Sequence, residues 1–245
     1  MALGDILRRG ASLWEALGVG SEGDVLTITS GEPEWAAPGS GGATVNGYYI
    51  TDGSDFGPVF PVTPVVNGDF AWINQGGASI DTTNGGVYIS APLNSGVSLR
   101  IRKKATPSTP YSITFAATYN LVNVDFQEAG LIFRQSSDGK LVVFWILSSS
   151  TSRLLQVSTL NSATSFNANI FSMTLSGMTG PVIWLRITDN GTNRLYSISS
   201  DGDHFIQVYS EARTTFLTAD EVGFMVNEGS NTYTCGINAL SWVQS

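Results

Sequence analysis

Residues 184–208 read WLRITDNGTNRLYSISSDGDHFIQV, a stretch that predicts three short β-strands in succession. Apolar and polar residues alternate within each segment, as they do in strands that bury one face. Residues 200–203, Ser-Asp-Gly-Asp, separate the last two segments. Asp and Gly readily adopt the backbone conformations that a hairpin turn requires. The stretch therefore predicts antiparallel β-structure.

The same pattern continues through residues 65–245. The composition agrees with it, because the chain contains 27 Gly, 11% aromatic residues and only 13% charged residues. This number of strands in one domain predicts an all-β fold, in which two antiparallel sheets pack face to face as a jelly-roll sandwich. The predicted strands are residues 70–74, 86–92, 97–104, 111–120, 128–135, 140–147, 153–158, 181–189, 194–200, 204–210, 221–227 and 235–243.

The charge and the apolar runs of the chain exclude several classes of partner. A net charge of −8, with only 12 Lys and Arg, repels a phosphate backbone, so no nucleic-acid partner is expected. The basic segment 100–104 alternates, and Arg100 and Arg102 are predicted to share a solvated sheet face. The longest apolar run, residues 141–147, is too short for membrane insertion. Cys235 is the single cysteine and is predicted to be a small buried residue.

Residues 2–17 are predicted to form an amphipathic helix, because their apolar residues recur at helical spacing and Gly18 is a natural stop. A helix this short needs a partner surface. We therefore interpret residues 1–40 as an anchoring adaptor, 41–64 as a Gly/Pro-rich linker and 65–245 as the sandwich. The residues assigned to anchoring or oligomerisation are Leu3, Ile6, Leu7, Leu13, Trp14, Leu17, Val25, Leu26 and Trp35.

Residues 18–23 spell G-x-G-x-x-G, the pattern of a dinucleotide-binding turn. That pattern binds a cofactor where it follows a strand and opens a helix. Here it follows the predicted helix and precedes residues 24–30, DVLTITS, which alternate like a strand. No cofactor is therefore expected, and a short hairpin closed by residues 30–33 explains the segment.

Two segments carry resemblances to known families. The run from Trp184, followed by EVGFMVN at 221–227 and INALSWV at 237–243, resembles the concanavalin A-like sandwich of the laminin-G and lectin/glucanase superfamily. The variety appended to glycoside hydrolases is the most similar, since a W-L-R-I strand, a strand ending in S-x-D-G and an aromatic strand follow in that order. This resemblance covers residues 65–245 and implies a jelly roll with one concave face.

The opening segment resembles the G-x-G-Q-V-L-T-x-x-x-G-x-P-x-W element of phage tail fibres and other virion appendages. Asp24 stands where that element usually has Gln. Such an element typically precedes a trimeric region, so the resemblance implies a homotrimer attached to a virus particle. The matching residues are Gly20, Gly23, Asp24, Val25, Leu26, Thr27, Ile28, Ser30, Gly31, Pro33 and Trp35.

No catalytic site is expected. A glucanase of this fold requires carboxylates spaced by two along one strand, and the chain has no E-x-D-x-E run. Asp125 and Glu128 are the nearest alternative, but their spacing of three puts them on opposite faces of a regular strand unless a bulge realigns them. His204, the only histidine, lies beside a turn and is predicted to be a surface residue. The chain has no G-x-S-x-G elbow that would supply a nucleophilic serine for it.

No metal site is expected either, since one His and one Cys cannot form a zinc site. Asp201 with Asp203, and Asp52 with Asp55, carry oxygen ligands suited to calcium, but turn chemistry explains both pairs equally well.

The aromatic residues suggest where a ligand binds. Trp145, Trp184 and Trp242 lie within predicted strands and are expected in the core. Trp72 and Tyr88 are the candidates for an exposed ligand face.

Together these features indicate a non-enzymatic bacteriophage virion surface protein: a head decoration, a head fibre or a short tail fibre. Its N-terminus would attach to capsid or tail proteins, and its lectin-like domain would face host-surface glycans. The alternatives are a carbohydrate-binding module, a glucanase-type depolymerase that uses Asp125 or Glu128, and a structural cement protein.

Overall fold

The computed structural model describes residues 6–9, 14–17, 25–29, 32–36, 63–94, 96–122, 124–176, 181–229 and 232–245. Most of the predicted linker 41–64, and with it Asp52 and Asp55, lies outside the described residues. Backbone contacts divide the chain into two compact units, residues 1–49 and residues 50–245.

The first unit contains two antiparallel hairpins. Strand β1 (Ile6–Arg9) pairs with β2 (Trp14–Leu17), and β3 (Val25–Thr29) pairs with β4 (Glu32–Ala36). The second hairpin agrees with the hairpin interpretation of the segment that follows Gly23. The register sets Ile6 opposite Leu17 in one hairpin and Leu26 opposite Trp35 in the other.

The predicted helix over residues 2–17 is wrong, because β1 and β2 occupy that segment. Gly10 interrupts the helical pattern and disfavours a helix that is already marginal by its length. A hairpin pairs the same backbone groups across two strands instead. Ile6, Leu7, Trp14 and Leu17 therefore do not form a helical stripe, whereas Leu3 and Leu13 lie outside the described residues.

The described residues of the second unit form antiparallel strands and one 3₁₀ turn at Asn67–Asp69. No helix in the described residues is long or apolar enough to cross a membrane. The strands are β5 (Ala71–Ile73), β6 (Ser79–Asp81), β7 (Val87–Ala91), β8 (Arg100–Ala105), β9 (Tyr111–Asn120), β10 (Gln127–Arg134), β11 (Leu141–Ser148), β12 (Arg153–Ser162), β13 (Ser165–Thr174), β14 (Val182–Asp189), β15 (Asn193–Ser199), β16 (Ile206–Ala212), β17 (Glu221–Asn227) and β18 (Cys235–Gln244).

These strands form two sheets of seven that pack face to face. Sheet I has the order β13-β12-β11-β10-β17-β8-β5, and sheet II has the order β16-β15-β14-β9-β18-β7-β6. Phe115 of sheet II stacks on Phe224 of sheet I with ring centroids 5.5 Å apart, and Trp242 packs edge-on against Phe115. The predicted all-β two-sheet sandwich is thus confirmed, with a continuous apolar interior between the sheets.

Two strands of the sandwich were not predicted. β6 contains only three residues. β13 reads SFNANIFSMT and lies at the edge of sheet I, where most of its side chains are exposed. Its Ser and Asn residues have low β-propensity, so pairing with β12 rather than composition makes it a strand.

Sheet I is strongly curved. The backbone N–H of Leu99, just before β8, donates to the carbonyl oxygen of Ala163, between β12 and β13, at 2.8 Å. Three strands of the sheet lie between β8 and β12, so the sheet must curl until its two sides meet across its outer face. Eight apolar side chains, each no more than 1% exposed, form an outer cluster there: Leu99, Ile101, Ile132, Leu141, Val143, Trp145, Leu160 and Met225.

Two glycines permit this curvature. Gly130 of β10 and Gly223 of β17 are outer-face residues of neighbouring strands, paired with Trp145 and Ile132 respectively. A Cβ atom at Gly130 would lie 2.6 Å from the Cα of Trp145, and one at Gly223 would overlap the carbonyl oxygen of Arg102. A side chain at either position would therefore push adjacent strands apart.

The structure corrects the prediction that Arg100 and Arg102 lie on a solvated face. Their register partners are Val226 and Phe224 of the interior face, and both arginines are buried. The Arg102 Nη2 atom donates to the carbonyl oxygen of Asn67 at 2.5 Å and to its Oδ1 at 2.8 Å. Alternation showed that the two arginines share a face but not which face, and long arginine side chains can bury their stems where acceptors lie within reach.

Replacing Gly223 by Ala is expected to destabilise the fold by about 1–3 kcal/mol, because the added methyl group meets rigid backbone rather than a flexible side chain. Urea denaturation measures the change. Gly68→Ala is the matched control, since a Cβ atom at Gly68 would meet nothing within 4 Å. A Gly223→Ala variant as stable as Gly68→Ala would contradict the close strand approach.

Candidate functional site

The two carboxylates of the depolymerase alternative lie on different elements. Asp125 lies in the loop before β10, where its Oδ1 accepts the backbone N–H of Ser150 at 2.8 Å. Glu128 lies within β10, is buried, and accepts a hydrogen bond from the Nδ2 of Asn227 at 2.6 Å. Burial raises the pKa of Glu128 to about 8, and the bond from Asn227 opposes part of that rise. The structure therefore does not align them along one strand face.

Asp201 and His204 form a turn network. The Oδ1 of Asp201 accepts hydrogen bonds from the Ser199 hydroxyl at 2.7 Å and from the backbone N–H of His204 at 2.9 Å. These bonds lower the pKa of Asp201 well below its usual value. His204 is exposed, as predicted, and its Nδ1 lies 3.0 Å from the Oδ2 of Asp201. Among the described residues, no group of three or more His, Cys, Asp or Glu side chains is arranged to hold a metal ion.

The structure does not bring Trp72 and Tyr88 together. Trp72 lies on β5 of sheet I, where the guanidinium carbon of Arg102 is 5.0 Å from its ring centroid. Tyr88 lies on β7 of sheet II, and its ring covers Gly236. A Cβ atom at Gly236 would be 2.5 Å from the Cζ of that ring. Both side chains are half-buried. Trp145, Trp184, Trp242 and Cys235 are buried, as predicted.

The outer face of sheet I is filled where the sheet curls. The outer cluster occupies it, and the Nε1 of Trp145 donates to the Oε1 of Gln156 at 3.3 Å. A ligand that entered this face would have to displace packed apolar side chains.

One end of the sandwich presents four exposed apolar side chains on three loops. Their exposed fractions lie between 43% and 59%, whereas most large apolar residues of the sandwich are buried. Binding residues are disproportionately found on loops that a rigid scaffold positions. We call this set the loop-end surface: Leu93, Val122, Phe126 and Tyr233.

Buried Gln127 joins two of these loops. Its Oε1 accepts the backbone N–H of Val122 at 2.8 Å, and its Nε2 donates to the carbonyl oxygen of Tyr233 at 2.7 Å. The side chain is fully buried, so its amide would be left without a partner if either bond broke. One amide thereby fixes the β9–β10 loop relative to the β17–β18 loop.

Buried Glu228 connects the β7–β8 loop, which carries Leu93, to the β17–β18 loop. Its Oε2 accepts the backbone N–H of Asn94 at 2.6 Å, and its Oε1 accepts that of Thr232 at 3.3 Å. The backbone N–H of Gly96 also donates to the carbonyl oxygen of Gly229 at 3.1 Å. The loop-end surface is therefore held by a hydrogen-bonded frame.

Phe126 has an unusual backbone conformation for an exposed phenylalanine. Its φ is +69°, in the left-handed region that non-glycine residues rarely occupy. A Cβ atom at Gly229 would lie 3.0 Å from the Cβ of Phe126, so the two loops touch at this point. Strain of this kind persists where the surrounding structure holds it, and such positions concentrate at functional sites.

Sequence reasoning missed the loop-end surface. Strand alternation directed attention to the tryptophans and to Tyr88, all of which lie in strands. Phe126 and Tyr233 lie in segments between predicted strands, and an aromatic residue in a loop is the one local signal that was available.

No protein-family model matches the chain, and no curated protein matches its sequence. Solved structures do match. A functionally unknown protein from Saccharomyces cerevisiae matches with a TM-score of 0.57 and 15% identity, over 74% of this chain and 98% of its own. A GH43 protein from Bacillus licheniformis matches with a TM-score of 0.57 and 10% identity, over 74% of this chain and 37% of its own. A seed lectin from Lotus tetragonolobus matches with a TM-score of 0.49 and 14% identity, over 74% and 94% of the two chains.

At these identities the similarities show the fold alone. The chain spans 37% of the length of the GH43 protein. The structure thus defines a two-sheet antiparallel β-sandwich, and its loop-end surface is the candidate site.

Titration of Glu128 is expected to make stability depend on pH. Because the folded chain holds this proton more tightly than the unfolded chain, the free energy of unfolding falls as pH rises from 4.5 to about 8. Relative to Glu128→Gln, the natural chain should lose at most about 1.4 kcal/mol per pH unit within that window. Denaturant titrations of both chains across the window measure this, and parallel pH profiles would contradict the buried protonated carboxyl.

Proposed function

We propose that this chain is a non-enzymatic surface protein of a bacteriophage particle, and that its lectin-like sandwich attaches to host-surface glycans. The observation that carries the proposal is the loop-end surface. Four exposed apolar side chains sit on loops that buried Gln127 and Glu228 hold in place. A preorganised surface loses little conformational entropy when it binds a ligand.

The chemistry of the loop-end surface suits a sugar. Sugar rings present C–H groups that pack on aromatic side chains such as Phe126 and Tyr233, and hydroxyl groups that need polar partners. Asn94 and Asp125 lie on the same loops and carry an amide and a carboxylate. Adjacent apolar and polar groups of this kind favour a glycan over a purely apolar partner.

The virion part of the proposal rests on the first unit. Its sequence resembles the adaptor element of phage appendages, and β3 and β4 form a hairpin at that element. We infer that residues 1–40 bind capsid or tail proteins and assemble three chains. A head decoration, a head fibre and a short tail fibre all fit this arrangement.

Phe126→Ala and Tyr233→Ala are each expected to weaken glycan binding about fivefold or more, because each removes a ring worth about 1–3 kcal/mol when stacked on a ligand. A glycan array of the full chain identifies the ligand, and calorimetry then measures each variant.

Phe166→Ala is the matched control, since Phe166 is also an exposed phenylalanine but lies on edge strand β13. Equal losses in Phe166→Ala and Phe126→Ala would contradict the assignment of the site. Release of reducing ends from the bound glycan, abolished by Glu128→Gln, would replace the proposal with the depolymerase alternative.

Removing residues 1–40 is expected to convert a trimer into a monomer. Light scattering of the full chain and of the truncated chain measures both masses in solution. A full chain that is monomeric would overturn the trimer, and a truncated chain that remains trimeric would move the assembly contacts into the sandwich.

A further inference from the structure

The outer face of sheet II contains an arginine without an acidic partner. Arg186 lies on β14, between β15 and β9, and is half-buried. No carboxylate of the described residues lies within 4 Å of its guanidinium nitrogens. Burial lowers its pKa, which shows that desolvation of the charge is not offset by a neighbouring acid.

The guanidinium group of Arg186 is held in one orientation. Its Nε donates to the hydroxyl of Thr114 at 2.8 Å. Its Cζ lies 3.6 Å from the ring centroid of Phe205, so the group lies against the phenylalanine ring. No described residue accepts a hydrogen bond from Nη1 or Nη2, which leaves the two-nitrogen fork free for a ligand.

The turn network of Asp201 explains why Phe205 lies there. The β15–β16 loop folds over sheet II. Its Gly202 lies so close to Trp184 of β14 that a Cβ atom there would be 2.7 Å from the indole ring. Asp201 accepts the backbone N–H of Asp203 at 3.0 Å and that of His204, which closes the loop just before Phe205. The network therefore positions Phe205 against Arg186.

The sheet neighbours of Arg186 on β15 and β9 are neutral and hydroxyl-bearing. Ser197 and Thr114 are its register partners on the two neighbouring strands. Ser112 and Thr188 lie one step along the same face, with hydroxyl oxygens 2.8 Å apart. Hydroxyl groups around a fixed guanidinium match a ligand that combines a carboxylate with sugar hydroxyls.

We propose that Arg186 anchors a site on the outer face of sheet II that binds the carboxylate of an acidic sugar. The guanidinium fork receives both carboxylate oxygens, and the surrounding Ser and Thr hydroxyls contact the sugar ring. This site rests on the proposed glycan-binding function and names an acidic sugar as one class of ligand. It is separate from the loop-end surface, which carries no arginine or lysine.

Methyl glucuronide is the probe, because a long polyanion would be repelled by the net charge of −8. Calorimetry or NMR titration of the full chain compares it with methyl glucoside, acetate and inorganic phosphate at equal ionic strength. We expect the glucuronide to bind at least tenfold more tightly than each of the other three. Equal binding of the glucoside, of acetate or of phosphate would overturn the assignment of an acidic sugar.

Two substitutions test the residue itself. Arg186→Gln is expected to weaken glucuronide binding at least tenfold, and Arg186→Lys, which keeps the charge but loses the fork, is expected to weaken it less. Lys140→Gln is the control, since Lys140 is an exposed cation paired with Asp138. Phe205→Leu removes the stacking ring without changing Arg186 and should also weaken binding. Unchanged binding in Arg186→Gln would overturn the proposal.

The two proposals fail in different ways. If the full chain binds neutral glycans through Phe126 and Tyr233 but does not bind the glucuronide, only the Arg186 site is contradicted. If the full chain binds no glycan on an array that includes acidic sugars, both the glycan-binding function and the Arg186 site are contradicted.

Discussion

The curvature of sheet I is the constraint on which the rest of the sandwich depends. Gly130 and Gly223 let neighbouring backbones approach more closely than any Cβ atom would allow, and the sheet curls until Leu99 bonds to Ala163. The outer cluster then fills the space that the curl encloses, and its burial in turn stabilises the curl. A flatter sheet would leave eight apolar side chains in water.

This closure decides which surfaces remain available for binding. A sandwich has two outer faces and two ends, and the outer cluster occupies one of the faces. The loops at one end and the hydroxyl-rich face of sheet II carry the remaining chemistry. The loop-end surface offers apolar groups, whereas the surroundings of Arg186 offer a cation and hydroxyls. The two surfaces therefore suit ligand groups of different chemistry.

Polar side chains give both surfaces their rigidity: Gln127 and Glu228 are buried, whereas Asp201 is exposed. Gln127 and Glu228 each accept or donate hydrogen bonds between different loops, and Asp201 closes the loop that carries Phe205. A buried polar atom that loses its partner costs more than an exposed one, so the bonds of Gln127 and Glu228 resist opening. The loops consequently present Phe126, Tyr233 and Phe205 in fixed positions. Rigidity of this kind comes from a few side chains rather than from the sheets themselves.

The sequence by itself determined the local features of this protein. Period-two alternation predicted β9 at residues 111–120 and β17 at residues 221–227 with the bounds that the structure has, because alternation is a property of consecutive residues. The same reasoning failed for residues 2–17, where apolar spacing fitted a helix but backbone pairing formed a hairpin.

Only the tertiary structure decided which face Arg100 and Arg102 occupy and which loops meet at the end of the sandwich. Gln127 and Tyr233 lie 106 residues apart, and Asn94 and Glu228 lie 134 apart. Contacts at such separations depend on how the two sheets are ordered and curved. No short stretch of sequence encodes that arrangement, because it is the sum of many weak packing preferences over the whole chain.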